Sequence, residues 1–196
     1  MRVLVGCEFS QIVTKAFRDR GHKAFSCDLL STEGNPEWHL QCDVLEILNQ
    51  GWDLGIFFPP CTHLAVAGAR WFSKKINEQK QALNFVMDLM DAPINKICIE
   101  NPVGIISTRI RKPDQIIQPY WFGHEAQKQT CLWLKNLPKL TPTNTVDRGK
   151  IYITKSGKKR GGAWTMCLSP SQDRWKIRSR TFQGIAEAMA SQWNFP

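Results

Sequence analysis

The sequence predicts an α/β protein with a doubly wound, mostly parallel sheet that carries helices on both faces. In the first half of the chain, short apolar segments alternate with segments whose apolar residues recur at helical spacing. The short segments are almost continuously apolar, as strands of a parallel sheet are when both of their faces are buried. The length of 196 residues fits one domain with a small appendage.

The predicted elements of the first half end on recognisable signals. The predicted strands are residues 2–6, 23–28, 40–42, 53–58 and 95–100. The predicted helices are residues 9–20, 43–48 and 74–91. Gly21 favours an end of the first helix, Pro59-Pro60 ends the fourth strand, and Asn101-Pro102 ends the fifth.

The second half has a different pattern. Strands are predicted at 115–120 and 129–134, and a last helix at 182–193. Between them the chain is rich in Pro, Gly, Thr and basic residues. We therefore expect a catalytic and cofactor-binding core at 1–134, a basic, loop-rich, substrate-contacting insertion at 135–178, and a C-terminal helix at 179–196 that returns to the core.

Charge is distributed unevenly. The net charge is +9, but residues 1–100 contain 10 Lys and Arg against 12 Asp and Glu, whereas residues 101–196 contain 16 against 5. A basic half beside a near-neutral half predicts a surface for a polyanion next to a catalytic or scaffold half. The other interpretation is a solvated basic face without a partner.

Several classes are disfavoured. No run of about 18 apolar residues exists, so we expect no membrane span. A strand pattern begins at Arg2 and leaves no room for a signal peptide, and the seven cysteines show no metal-binding spacing. Reduced thiols, a cytoplasmic location and no metal are therefore expected.

Two predicted strand ends are followed or closed by residues that could take part in catalysis. Ligands of such sheets bind at the carboxyl ends of the strands, where Cys61 follows Pro60 and Glu100 precedes Asn101. A thiol and a carboxylate there suit conjugate addition to a pyrimidine. The thiolate attacks carbon-6, a protonated Glu100 donates to the ring nitrogen, and carbon-5 then becomes nucleophilic enough to accept a methyl group.

The chain resembles the DNA cytosine carbon-5 methyltransferases. Pro60-Cys61 looks like their nucleophile motif and Glu100-Asn101-Pro102 like their Glu-Asn-Val motif, while residues 180–186 are similar to their last motif. Short phage and bacterial proteins labelled as methyltransferase-like also resemble it. The resemblance implies a Rossmann-like fold, S-adenosylmethionine as cofactor, and DNA modification as function.

The resemblance also implies roles for individual residues. Cys61 and Glu100 would be catalytic, and Asn101 would shape the substrate pocket with Pro60. Asp28 would hold the ribose hydroxyls and Asp43 would meet the adenine. The residues implied on the cofactor side are Gly6, Phe9, Ser10, Asp28, Asp43 and Pro60.

Substrate contacts are expected from the basic segment and from one loop. Basic residues neutralise phosphates, and aromatic residues stack on exposed bases. The candidates are Lys158, Lys159, Arg160, Arg178 and Arg180, with Trp164 and Trp175 interleaved, and Trp71 in the loop after the thiol. The interpretation of both tryptophans as core residues stays open.

Other functions also fit the sequence. Pro59-Pro60 suits an amino-methyltransferase, but Phe58 provides no polar acceptor; Cys61 and His63 suit a hydrolase or a metal site only weakly. The loop at residues 6–11 holds one glycine, which favours a pyrimidine-nucleotide enzyme with another donor. A catalytically silent nucleic-acid-binding protein is the further alternative. Nothing in the sequence predicts the oligomeric state.

Overall fold

The computed structural model describes residues 1–149, 151–153, 157, 159–161 and 171–195. The strands are Arg2–Gly6 (β1), Lys23–Cys27 (β2), His39–Leu40 (β3), Leu54–Phe57 (β4), Lys96–Pro102 (β5), Gln115–Ile117 (β6), Thr130–Lys135 (β7), Ile151–Ile153 (β8) and Lys159–Gly161 (β9). The α-helices are Ile12–Arg18 (α1), Ile76–Met90 (α2), Ile106–Arg109 (α3), Arg174–Ser179 (α4) and Gln183–Gln192 (α5). Short 3₁₀ helices are Pro36–Trp38, Val44–Ile47, Val66–Lys74 and Pro119–Trp121.

Seven strands form one sheet in the order β3-β2-β1-β4-β5-β7-β6, and β8 and β9 form a separate hairpin. The first five strands of the sheet pair in parallel, whereas β7 is antiparallel to both of its neighbours. The strand order reverses between β1 and β4, as it does in Rossmann-like sheets, and ligands bind in the crevice at that point. The predicted doubly wound, mostly parallel α/β fold is confirmed.

Each face of the sheet has its own apolar core. Alternation along β1 directs Val3 and Val5 to one face and Leu4 to the other. The first core packs under α1 and α5, and the second under α2. Because helices cover both faces, the carboxyl edge of the sheet is where the candidate site residues gather.

The fifth strand is longer than predicted. It continues through Asn101 to Pro102, which lies opposite Thr130 of β7. The pairing with β4 ends at Ile99, so the last residues of β5 have a partner on one side only. Such an edge position tolerates proline, and the prediction that Asn101-Pro102 stops the strand was wrong for this reason.

Three shorter segments also differ from the predictions. Residues 43–48 contain a 3₁₀ helix, and the strand predicted at 115–120 ends at Ile117 before the 3₁₀ turn at Pro119. Helices α3 and α4 were not predicted, because they are too short to show a helical period. None of the helices in the described ranges is long and apolar enough to cross a membrane.

Candidate active site at the carboxyl edge

The register of the sheet aligns the candidate residues in one row. Gly6 lies opposite Cys27 on one side and Phe57 on the other, and Phe57 lies opposite Ile99. The residue that follows each of these is therefore at the same edge. Asp28 and Glu100 occupy two of those positions, so the sequence-predicted residues converge because the strands end together.

Cys61 lies in the turn after β4, near enough to Glu100 for their charges to interact. Burial is the main reason that the pKa of the Cys61 thiol is raised, and the Glu100 carboxylate adds to the effect. Burial likewise raises the pKa of Glu100. The Glu100 carboxylate thus disfavours the charged form of the Cys61 thiol, and burial disfavours the charged form of both groups.

Lys128 brings the opposite charge. Its side chain lowers the pKa of both Cys61 and Glu100, partly offsetting the effect of burial. The Thr130 hydroxyl is hydrogen-bonded to Glu100 and acts in the same direction. Lys128 was not among the residues that the sequence predicted for the site. No local signal could have located it, because its position depends on the antiparallel orientation of β7, which places the start of that strand at this edge.

A cleft connects these groups. Its walls include Phe58 after β4, Glu100 of β5, Lys128 and Thr130 before and in β7, and Phe182 before α5. Ser179 and Thr181 add polar groups to this narrow cavity, whose volume is about 10 Å³, and Ile185 and Met189 complete its apolar part.

Asn101 and Pro60 support the turn that carries Cys61. The Asn101 side chain is buried, and its Nδ2 donates a hydrogen bond of 2.7 Å to the carbonyl oxygen of Pro59. Pro60 is exposed in the same turn. Asn101 alternates with Glu100 along β5 and belongs to the opposite face, so it braces the turn from behind the cleft.

Asp28 and Asp43 surround Cys7, the residue after β1. Burial raises the pKa of Cys7 to about 12, and the two carboxylates contribute to the shift. Asp28 accepts a hydrogen bond from the amide of Leu30, and Asp43 caps a 3₁₀ helix through the amide of Leu45. The two predicted cofactor carboxylates are therefore close together at the edge of the sheet.

Gly6 is the last residue of β1, and Phe9 and Ser10 lie in the loop between β1 and α1. A Cβ atom at Gly6 would lie 2.5 Å from the ring of Phe57, so this glycine permits close packing inside the sheet. Phe9 is buried, and Ser10 hydrogen-bonds to the carboxylate of Glu8. Two non-glycine residues of the loop, Cys7 and Gln11, adopt positive φ angles of 59° and 57°.

Glu8 was missed by the sequence analysis. Its buried carboxylate accepts hydrogen bonds from the amides of Val13 and Thr14, at 2.7 and 3.2 Å, and from the Thr14 hydroxyl at 2.7 Å. These amides belong to the first turn of α1. An internal carboxylate therefore satisfies donors that a helix start would otherwise direct at a ligand.

Two predicted substrate-binding arginines, Arg178 and Arg180, lie at the end of α4. Arg178 is exposed on α4, lowers the pKa of Cys61, and has its carbonyl oxygen 3.3 Å from Nζ of Lys128. Arg180 instead pairs with Glu33: its Nη2 lies 2.8 Å from each carboxylate oxygen. The ring of Trp175 on α4 is half-exposed and 6.1 Å from the ring of Phe9.

Other predicted contacts are only partly described. Lys159 and Arg160 lie on strand β9, and Trp71 lies on the 3₁₀ helix Val66–Lys74. Lys158 and Trp164 fall outside the described residues. Among the described residues, no group of three or more His, Cys, Asp and Glu side chains is placed to hold a metal ion.

The α/β fold brings a thiol and a carboxylate near one another at the carboxyl edge of the sheet, which makes this edge the candidate active site. No protein-family model and no curated protein matches the sequence. Among solved structures, the chain is similar to a protein described as a candidate DNA modification methyltransferase that an E. coli prophage encodes, with 13% identity and a TM-score of 0.48. The match covers 75% of this chain and 52% of the other, so the chain spans about half of that protein's length. An identity and a TM-score this low do not transfer an activity or a substrate.

Proposed function

We propose that the protein is an S-adenosylmethionine-dependent cytosine carbon-5 methyltransferase that acts on DNA through addition of a thiolate to the pyrimidine ring. The observation that carries the proposal is the electrostatic coupling of Cys61 and Glu100 at the ends of neighbouring strands, with Lys128 opposing both. Conjugate addition requires these groups: a nucleophile, an acid for the ring nitrogen, and a cation that offsets the developing negative charge.

Each residue has a definite task in this reaction. Cys61 attacks carbon-6 as the thiolate, which Lys128 and Arg178 favour through their charge. Glu100, whose pKa burial raises, holds the proton that the ring nitrogen receives. Phe58 lines the cleft and provides an apolar wall for the ring. Addition at carbon-6 makes carbon-5 nucleophilic, and S-adenosylmethionine would supply the methyl group and leave as S-adenosylhomocysteine. Loss of the carbon-5 proton to solvent and elimination of the Cys61 thiolate would then restore the ring.

The residues at the crevice fit the cofactor. S-adenosylmethionine has a ribose, an adenine and an amino-acid tail, and it is the source of the methyl group when bound. Asp28 and Asp43, which flank the end of β1, would hold the nucleoside part. Gly6, Phe9 and Ser10 form the loop beneath it, and Pro60 lies in the turn beside the thiol. The crevice at a reversal of strand order is also the usual ligand position in such sheets.

The surface around the cleft suits DNA. Arg174, Lys176 and Arg178 all lie on α4, and the same helix carries the half-exposed Trp175. Cations neutralise phosphates, and an exposed ring can stack on a base. A base inside a duplex must be flipped out before a thiol can reach it, and this helix carries Arg178, whose charge acts on the thiol.

The test is methyl transfer from radiolabelled S-adenosylmethionine to DNA and, in parallel, to free deoxycytidine monophosphate. We expect transfer to DNA, loss of transfer in Cys61→Ser, and a decrease of about 10²–10⁴-fold in Glu100→Gln. Glu125→Gln, which changes an exposed carboxylate elsewhere, is the matched control. DNA with 5-fluorocytosine should form a covalent adduct with the wild type and not with Cys61→Ser.

The outcomes separate the alternatives. Transfer to the nucleotide and not to DNA would indicate a pyrimidine-nucleotide enzyme. DNA binding without binding of S-adenosylmethionine would indicate a silent nucleic-acid-binding protein. Full activity in Cys61→Ser would contradict the thiolate mechanism.

A further inference from the structure

A second cavity adjoins the catalytic cleft. It has a volume of about 240 Å³, somewhat below the roughly 300–1,000 Å³ of pockets that enclose a whole drug-sized ligand and enough for one end of such a ligand. Its lining residues are Ile12, Ile177, Arg180, Thr181, Phe182 and Gln183. Thr181 and Phe182 also line the cleft of Glu100, so the two cavities share a wall. A ligand seated in the second cavity would therefore reach the reaction centre.

Arg180 has hydrogen-bonding capacity left in this cavity. Its Nη2 is paired with Glu33, but its Nε is buried and has no hydrogen-bond partner among the residues that the structure describes. A buried guanidinium donor is rarely left without an acceptor. The side chain that lines this cavity therefore holds a donor that no described residue satisfies.

Glu33 is fixed beside the loop that follows β1. Its amide donates a hydrogen bond of 2.9 Å to the carbonyl oxygen of Phe9, which also accepts one from the Thr32 hydroxyl. The Glu33 carboxylate and the Arg180 guanidinium consequently form a pair of opposite charges at the entrance to the crevice. The exposed fractions of the two side chains are 35% and 41%, so solvent and ligands reach the pair.

The start of α1 does not offer an alternative anion site. The carboxylate of Glu8 already occupies the amides of Val13 and Thr14. A ligand carboxylate in this crevice must therefore be neutralised by a side chain, and Arg180 is the arginine that lines the cavity. Arginine presents several donors in a planar arrangement that matches a carboxylate.

We propose that Arg180 and Glu33 form the subsite for a zwitterionic α-amino-acid group, with Arg180 binding its carboxylate and Glu33 its ammonium group. The inference rests on the proposed function, in which the ligand is S-adenosylmethionine and the group is its methionine end. It differs from the sequence-based expectation that Arg180 contacts the nucleic acid. The nucleoside end then lies towards Asp28 and Asp43, and the sulfur towards the shared wall of the two cavities.

The test is calorimetry with three ligands: S-adenosylhomocysteine, its decarboxylated analogue, and 5′-methylthioadenosine, which lacks the amino-acid group. The wild type should bind S-adenosylhomocysteine at least about tenfold more tightly than either of the others, because a charge-assisted pair is lost with each. This comparison needs no variant. Equal affinity for all three ligands would overturn the subsite.

Variants then assign the residues. Arg180→Gln should weaken binding of S-adenosylhomocysteine about tenfold or more and leave that of 5′-methylthioadenosine unchanged. Glu33→Gln should show the same selectivity. The matched control is Arg111→Gln, which removes a different arginine–carboxylate pair, with Asp114. An equal loss for both ligands in Arg180→Gln would overturn the assignment.

Failure of the inference and failure of the proposed function give different results. If the wild type binds none of the three nucleosides, the S-adenosylmethionine-dependent function is wrong and the subsite with it. If the wild type binds them without regard to the amino-acid group, the proposed function survives and the subsite is wrong.

Discussion

Lys128 offers a direct test of the electrostatics of the cleft through the substitution Lys128→Gln. The lysine lowers the pKa of both Cys61 and Glu100, so its removal should raise the pKa of the Cys61 thiol. Interactions between half-buried charges beyond direct contact are on the order of 1–2 kcal/mol at an effective dielectric constant of about 20. We therefore expect a shift of about one pH unit, which corresponds to about 1.4 kcal/mol.

The assay is alkylation of Cys61 by iodoacetamide as a function of pH, followed by mass spectrometry of the peptide that contains it. Only the thiolate reacts, so the rate profile of Lys128→Gln should move to higher pH. Lys128→Arg keeps the charge and should retain the wild-type profile. Lys139→Gln, which alters an exposed lysine after β7, controls for net charge.

Glu100→Gln should move the same profile in the other direction. The carboxylate raises the pKa of Cys61, so an uncharged amide in its place lowers that pKa and moves alkylation to lower pH. The opposite signs distinguish local coupling from a general loss of packing, which would expose the thiol in both variants. Profiles that shift in the same direction, or not at all in Lys128→Gln, would refute the coupling.

Three further predictions concern the supporting structure and the surface. Gly184→Ala should lower the free energy of unfolding by more than about 2 kcal/mol and so lower the urea concentration at the unfolding midpoint, because a Cβ there would lie 1.9 Å from the carbonyl oxygen of Phe122. An unchanged midpoint would contradict this packing. Glu8→Gln should lower the free energy of unfolding by about 1–3 kcal/mol in the same experiment. The glutamine NH₂ group would face a backbone N–H donor of α1 that is hydrogen-bonded to the Glu8 carboxylate in the wild type. Trp175→Ala should leave the unfolding midpoint in place and weaken binding of single-stranded DNA by about 1–3 kcal/mol, because the ring is 52% exposed; unchanged affinity would show that the ring does not stack on a base.

Most strand ends of the first half were predictable from sequence; β5 is the exception, because it continues to Pro102. Apolar runs that stop at a proline or an acid locate the edge of a parallel sheet, and this placed Glu100 and the turn of Cys61 near that edge. The effect of the Glu100 charge on Cys61 follows from the neighbouring positions of β4 and β5. Sequence reasoning is reliable here because parallel strands leave a clear local signal.

The position of Lys128 could not be predicted. It depends on β7 running antiparallel between β5 and β6, and the direction of a strand is decided by tertiary packing, without a local pattern. The role of Glu8 could not be predicted for a related reason. A carboxylate in a loop sequence is expected to be exposed, and only the tertiary structure shows that it accepts hydrogen bonds from the start of α1. Arg180 likewise found its partner, Glu33, far away in the chain.

The topology of the sheet explains how the uneven charge distribution affects the candidate site. The near-neutral first half provides Cys61 and Glu100, and burial disfavours the charged form of both. The cations that oppose this effect, Lys128 and Arg178, both come from the basic second half. They act on the thiol because β7 pairs with β5 and because Nζ of Lys128 donates a hydrogen bond to the carbonyl oxygen of Arg178 on α4. Part of the positive charge of the second half thus lowers the pKa of the thiol. Under the proposed function, a substitution of these cations should therefore change methyl transfer as well as DNA binding.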